Sequence, residues 1–184
     1  VTEEIWKPVV RFGKIIPYYF VSNKGKVKRK GAKKELTENL EFTDTQGKKR
    51  CRRCTVSICL PSPDFFKDCK DYHYSYTKRK DKRKTSSVSI SVHRLVMDAF
   101  KPIDEYPPIP KEDWNITPET AKKFIKDTVV IDHINDDASD NRVENLRWVS
   151  SLQNSNYRKN KEILDSITKK ETVLTEYFLE RFIL

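Results

Sequence analysis

Polar and apolar positions first fall into a pattern between Tyr18 and Lys28. Tyr18-Tyr19-Phe20-Val21-Ser22 is a β-prone run, and Asn23-Lys24-Gly25 has turn chemistry, because Asn and Gly tolerate positive φ. Lys26-Val27-Lys28 then alternates as the return strand of a solvated hairpin would. From Cys54 to Leu60 the chain alternates again, with Cys54, Val56, Ile58 and Leu60 on one face. Val88, Ile90 and Val92 repeat that pattern on the way into His93. The period then changes. In His93-Arg94-Leu95-Val96-Met97-Asp98-Ala99-Phe100 the apolar residues recur at helical spacing, and Pro102 marks the end. Residues Pro102 to Pro110 form a proline-rich loop. Thr117-Pro118-Glu119 has the form of an N-cap, an N1 proline and a first-turn acid, opening a short helix through Lys126. Val129-Val130-Ile131 is a buried-strand run ending at Asp132-His133. A polar loop to Asn145 separates it from a second strand, Leu146 to Val149. Ser150 or Ser151 then caps a helix from Leu152 to about Asn160.

Composition narrows the function. The 184 residues carry 37 Lys+Arg against 27 Asp+Glu, a formal net charge of +10. Eight Tyr, nine Phe and three Trp supply bulky core groups. Mean hydropathy is −0.75, and no apolar run approaches the roughly 18–20 residues of a membrane span. No signal-peptide pattern opens the chain. These features point to an intracellular protein with a polyanionic partner and no membrane partner. The positive charge is clustered at Lys24 to Lys34, Lys48 to Arg53 and Lys78 to Lys84, so the polyanion surface is expected in the first half. From Lys161 onward the balance is close to neutral.

The chemistry centres on the strand end. Asp132 is a hard oxygen ligand suited to Mg²⁺, and the Asn154 carbonyl on the following helix is another. A neutral His133 can accept a proton from water. A hard cation, a base and a basic surface together suit phosphodiester hydrolysis.

At these residues the sequence resembles a known family. Val130-Ile131-Asp132-His133, then Asp140-Asn141-Arg142-Val143-Glu144-Asn145-Leu146-Arg147-Trp148-Val149, then Asn154, is similar to the HNH (ββα-metal) nuclease motif. The version it most resembles is that of phage and intron-encoded homing endonucleases. Ser91 to Phe100 resembles the helix that precedes the motif in those enzymes. Glu4 to Pro8 and Tyr19 to Val27 resemble the modular DNA-binding motif often attached to them. The resemblance implies an α+β fold. A small antiparallel β-rich DNA-binding region would span residues 1–87, a ββα-metal nuclease core 88–160 and a C-terminal helix 161–184.

The resemblance also implies roles. Asp132 and Asn154 would hold one divalent cation, Mg²⁺ or Mn²⁺, and His133 would be the general base. Asn145 would brace the loop so that His133 is held in aim. The reaction would be site-specific, metal-dependent hydrolysis of double-stranded DNA to 5′-phosphate and 3′-hydroxyl ends. Two other outcomes fit the same descent: a DNA-binding regulator with an inactive nuclease, or a restriction endonuclease. One departure stands out. The family loop usually has a glycine soon after the His, where this chain reads Ile134-Asn135-Asp136-Asp137. Asn and Asp tolerate left-handed geometry, but the acids could repel DNA or recruit a metal.

Several residues have plainer readings. His93 suits a structural place, or a phosphate contact at a helix start. Asn156 rivals Asn154 as a ligand, and Trp148 suits core packing. Cys51, Cys54, Cys69 and His73 could bind a structural zinc, or the cysteines could be reduced and partly buried. Lys24, Lys26, Lys28 and Arg29, Arg50, Arg52 and Arg53, and His93 with Arg94 are the candidate DNA contacts. Phe65, Phe66, Tyr72, Tyr74 and Tyr76 belong either to a hairpin over DNA or to an insertion packed on the core. Residues 161–184 read as a helix that caps the core or forms a dimer contact, leaving monomer and homodimer both open.

Overall fold

The computed structural model describes residues 3–45, 48–62, 64–69 and 87–156. Its architecture is α+β, with three antiparallel sheets around one helix. Strands β1 (Trp6–Arg11), β2 (Lys14–Ser22) and β3 (Val27–Arg29) form the first sheet in that order. Strands β4 (Asn39–Thr45), β5 (Lys48–Cys59) and β6 (Ser87–Ser91) form the second. Strands β7 (Val129–His133) and β8 (Leu146–Ser150) pair as a hairpin. Between the second and third sheets lie α1 (Val92–Phe100), α2 (Lys111–Ile116) and α3 (Glu119–Thr128).

The alternating segments form strands because one face of each enters the core. Cys54, Val56 and Ile58 are fully buried along β5, and Leu60 follows them inward. Val9, Ile16, Val21 and Val27 do the same in the first sheet. Val92, Leu95, Val96 and Met97 form the inward stripe of α1, and Leu146 reaches the same core from β8. Each such side chain contributes about 1.5–3 kcal/mol on burial. Helix α1 packs on β1, β2, β5, β6 and β8, so it joins the three sheets. The expected boundary between residues 87 and 88 falls inside β6, whose Ser87 and Val88 pair with Cys59 and Ile58 of β5. The residues on either side of that boundary therefore share one core.

Phe66 is buried in that core, edge-on to Phe12 and Phe65, so this part of the aromatic segment packs inward. Tyr72, Tyr74, Tyr76 and residues 161–184 lie outside the described residues.

Two local expectations need correction. Thr117 is the C-cap of α2, and its hydroxyl donates back to the Asp113 carbonyl at 2.6 Å. Pro118 takes the N-cap position of α3, its carbonyl accepting from Lys122 N at 2.9 Å. The run Val129–Ile131 is only half-buried, because the β7–β8 sheet has two strands. Residues 151–156 are helical. Ser150 begins this turn with a reciprocal pair of bonds: Gln153 N donates to Ser150 Oγ at 3.1 Å, and Ser150 N donates to Gln153 Oε1 at 2.9 Å. No helix among the described residues is long and apolar enough to cross a membrane.

Candidate active site

Strand β7 delivers Asp132 and His133 side by side at its end. Pairing with β8 sets Asp132 opposite Arg147 and His133 opposite Leu146. Asp132 is 3% exposed. Its Oδ2 accepts from Arg147 Nε at 2.8 Å and lies 2.7 Å from Nη2. Both contacts fall on one oxygen. The sequence reading gave Arg147 no role, although a hairpin register that sets it opposite Asp132 predicts the pair.

The loop from Ile134 to Asn145 is closed by its last residue. Asn145 is buried, and its Oδ1 accepts from Asn135 N at 3.0 Å. Its Nδ2 donates to Asn135 Oδ1 at 2.9 Å and to the Asp140 carbonyl at 2.8 Å. The main chain adds a bond from Ile134 N to the Asn145 carbonyl at 2.9 Å. Asp136 stands at φ +61°, so an aspartate takes the left-handed position in this turn. Its neighbours in charge are engaged locally. Asp137 accepts from the amide and hydroxyl of Ser139 at 2.9 and 2.6 Å, which holds its carboxyl below the ordinary carboxylate value. Asp140 receives Nε and Nη2 of Arg142, both at 2.7 Å, with the same consequence.

His133 is held on two sides. Its Nε2 lies 3.2 Å from Asn141 Oδ1. Its ring stands edge-on to that of His93, with centroids 5.4 Å apart. His93 Nδ1 is buried without a hydrogen-bond partner among the described residues. Burial first, then the neighbouring His133 and Arg94, Arg53 and Arg11, lower its pKa from 6.5 to about 3. His93 is therefore neutral at physiological pH. Those arginines also make the surroundings of the histidine pair electropositive, which suits a phosphate.

Asn154 lies on the helical turn after β8, and its Oδ1 is buried without a partner among the described residues. A sealed, unbonded carbonyl oxygen costs about 1–3 kcal/mol unless something else meets it. Asn156, its rival, is exposed. Each of the two oxygens suits a hard cation by its chemistry: a buried carboxylate that Arg147 meets through one oxygen, and a buried amide oxygen without a partner among the described residues. Mg²⁺ bound through one or two protein oxygens keeps water and substrate phosphate as its remaining ligands.

Three of the four candidate zinc ligands lie among the described residues. Cys54 points into the core from the inward face of β5, with its thiol on Glu38 Oε2 at 3.3 Å. Burial and that carboxylate push its pKa to about 12, so without a bound metal the thiol stays protonated. Cys51 turns instead to the Arg53 carbonyl at 3.6 Å, and Cys69 packs against the core. His73 lies outside the described residues. Among the described residues, no three His, Cys, Asp or Glu side chains gather as a metal cluster.

The candidate DNA contacts are placed unequally. Arg29, Arg52 and Arg53 are exposed. Lys26 pairs with Glu35 at 3.1 Å, and Lys28 lies over the Trp6 ring, 3.7 Å from its centroid. Lys24 is half-buried on the Asn23–Gly25 turn. Arg50 lies in β5, in register with Thr43. Arg94 stacks on Trp148, 5.3 Å from the ring centroid, in a pocket with Asp98 and Arg11. Trp148 is half-buried against the core, and its indole donates to the Lys101 carbonyl at 2.8 Å.

Residues 91–156 match the family model described as HNH endonuclease. That stretch, roughly a third of the chain, contains Asp132, His133, Asn145 and Asn154. A solved structure of the HNH homing endonuclease I-HmuI, described for DNA binding and cleavage, is similar over 91% of this chain and 68% of that one, at 18% identity and a TM-score of 0.46. No curated protein matches the chain.

Proposed function

We propose that this protein is a metal-dependent endonuclease that cuts double-stranded DNA at a specific site, in the manner of an HNH homing endonuclease. Hydrolysis leaves 5′-phosphate and 3′-hydroxyl ends. The observation that carries the reading is Asn154 Oδ1, buried and without a partner among the described residues, on the helical turn after β8 within the stretch that matches the HNH endonuclease model. Asp132 and Asn154 would hold the divalent cation, which supplies Lewis-acid stabilisation of charge developing on the phosphate and the leaving oxygen. His133 takes the proton from the attacking water. The Asn141 Nδ2 donates to the Ser139 carbonyl at 3.2 Å and to the Ala138 carbonyl at 3.4 Å, so its Oδ1 is the atom turned to the histidine. An acceptor at that place selects the tautomer with a proton on Nε2 and leaves the Nδ1 lone pair for water. Exposed Arg29, Arg52 and Arg53 engage DNA phosphates.

The Arg147 contact favours a second reading, a DNA-binding protein of the same descent that no longer cuts. An arginine on Asp132 competes with a cation for the same carboxylate. Cleavage-end mapping separates the two. The protein is incubated with a randomised DNA library at low salt, with Mg²⁺, Mn²⁺ or EDTA, and new 5′-phosphate ends are sequenced. Ends at one long motif, lost with EDTA, support the nuclease. Tight binding without ends at either metal supports the inactive protein.

A further inference from the structure

The turn Asn23–Gly25 belongs to the N-terminal sheet, yet it lies against the loop that holds His133. Gly25 has φ +82°, and a Cβ added there would stand 2.8 Å from Asn141 Cβ and 2.9 Å from both Asn141 C and O. No side chain fits at that distance, so the glycine backbone rests directly on the main chain of Asn141. Two residues further on, Val143 N donates to the Asn23 carbonyl at 2.8 Å. The turn is itself stiff. Ser22 Oγ accepts from the amides of Lys24 and Lys26 at 3.2 and 3.1 Å. The Asn23 side chain accepts from Ile5 N at 2.8 Å and donates to the Glu3 carbonyl at 3.0 Å. Asn141 is 3% exposed and carries the only side-chain oxygen bonded to His133 Nε2 among the described residues.

We propose that Gly25, through Asn141, is a positioning residue for His133: the N-terminal turn fixes where Asn141 Oδ1 stands, and so fixes the tautomer and aim of the base. This rests on the nuclease reading for its catalytic consequence, but its structural half does not. A rigid acceptor gives the imidazole one protonated nitrogen and one orientation, whereas a displaced Asn141 leaves both tautomers open. The N-terminal unit is then part of the catalytic scaffold as well as a basic surface.

The chain offers its own control. Gly31 and Gly13 have φ +78° and +71°, with nothing within 4 Å of an added Cβ. Gly31→Ala therefore brings the same left-handed backbone penalty without the contact. Gly25→Ala is compared with it, Gly25→Asn eases the positive-φ penalty but keeps the contact, and circular dichroism of both variants in EDTA guards against failure to fold. Two signals are read. One is the cleavage rate at saturating DNA, with DNA affinity measured separately in EDTA. The other is the imidazole ¹⁵N signals of His133, assigned by their loss in His133→Ala and compared between the proteins at one pH.

Both Gly25 variants are expected to lower the rate about 10- to 100-fold with affinity within about two-fold. They should also move the His133 signals from the Nε2–H form toward a mixture of tautomers. Gly31→Ala keeps the wild-type rate and signals. In an Asn141→Ala background, Gly25→Ala adds less than about two-fold, because the group it acts through is gone. Wild-type rates and unmoved His133 signals in both Gly25 variants would overturn the proposal, as would equal losses in Gly31→Ala. A wild-type chain that cuts no DNA while its His133 signals still respond to Gly25 upholds the positioning and overturns the nuclease reading.

Discussion

His93 enters α1 with its Nδ1 sealed, edge-on to the His133 ring. Its pKa of about 3 against an ordinary 6.5 ties stability to pH. Between those values the unfolded chain binds a proton that the folded chain refuses. The group therefore has no effect above about pH 6.5 and destabilises the fold as pH falls, by up to about 1.4 kcal/mol per unit. Urea unfolding at about pH 7 and about pH 5 is expected to show that loss in the wild type and a smaller one in His93→Gln. Arg147 makes a second prediction at this scale. Asp132 is nearly sealed while the arginine is partly exposed, so Arg147→Gln leaves a buried carboxylate short of its partner. The expected loss is about 2 kcal/mol in EDTA, below the full value for a buried pair because water screens the arginine. Mn²⁺ should restore more stability to this variant than to the wild type, as read by thermal unfolding with and without the ion.

Asn145 acts on an element, the loop joining β7 to β8. Its side chain makes three hydrogen bonds to Asn135 and Asp140. Asn145→Ala should cost about 2–4 kcal/mol, at about 1 kcal/mol for each bond plus the groups left unpaired. The matching denaturant midpoint should fall and cleavage should be lost with it. Elements of this kind were legible where the pattern was long or the chemistry local. Cys54 to Leu60 and Leu95 to Met97 announce their inward faces by period alone, and both are buried as read. Strand β4 was not legible, since Leu40 and Phe42 are exposed and its place comes from pairing with β5. Helix α2 is six residues with one buried side chain, Trp114, too short to show a period. Asp132 and His133 could be read because they are adjacent. Asn141 could not be given a task from sequence, because its packing partner Gly25 lies in a distant strand turn, and sequence pattern reports burial without naming what fills the space.

On the scale of the whole molecule, α1 makes the sheets one body. It lies inside the HNH segment, yet it covers Val9, Ile16 and Val21 of the N-terminal sheet. Polar links follow the same route: Arg11 pairs with Asp98 at 2.9 Å, and Lys7 donates a hydrogen bond to the Ala99 carbonyl at 3.2 Å. A fragment of residues 88–184 leaves one side of α1 uncovered, and is expected to show little cooperative unfolding by circular dichroism where the full chain shows a sharp transition. The same integration brings basic side chains of the first half, Arg11 and Arg53, near the histidine pair. On the proposed function, DNA held by the N-terminal surface would lie on the same body as the strand end.

The central claim is that His133 is the base of a DNA-cutting site, and one comparison tests it most directly. Wild type and His133→Ala are assayed on the same DNA with Mn²⁺, with affinity measured in parallel without metal. The account predicts cleavage reduced by about 10²-fold or more in the variant, with affinity within a few-fold. Equal cleavage by the two proteins would contradict it.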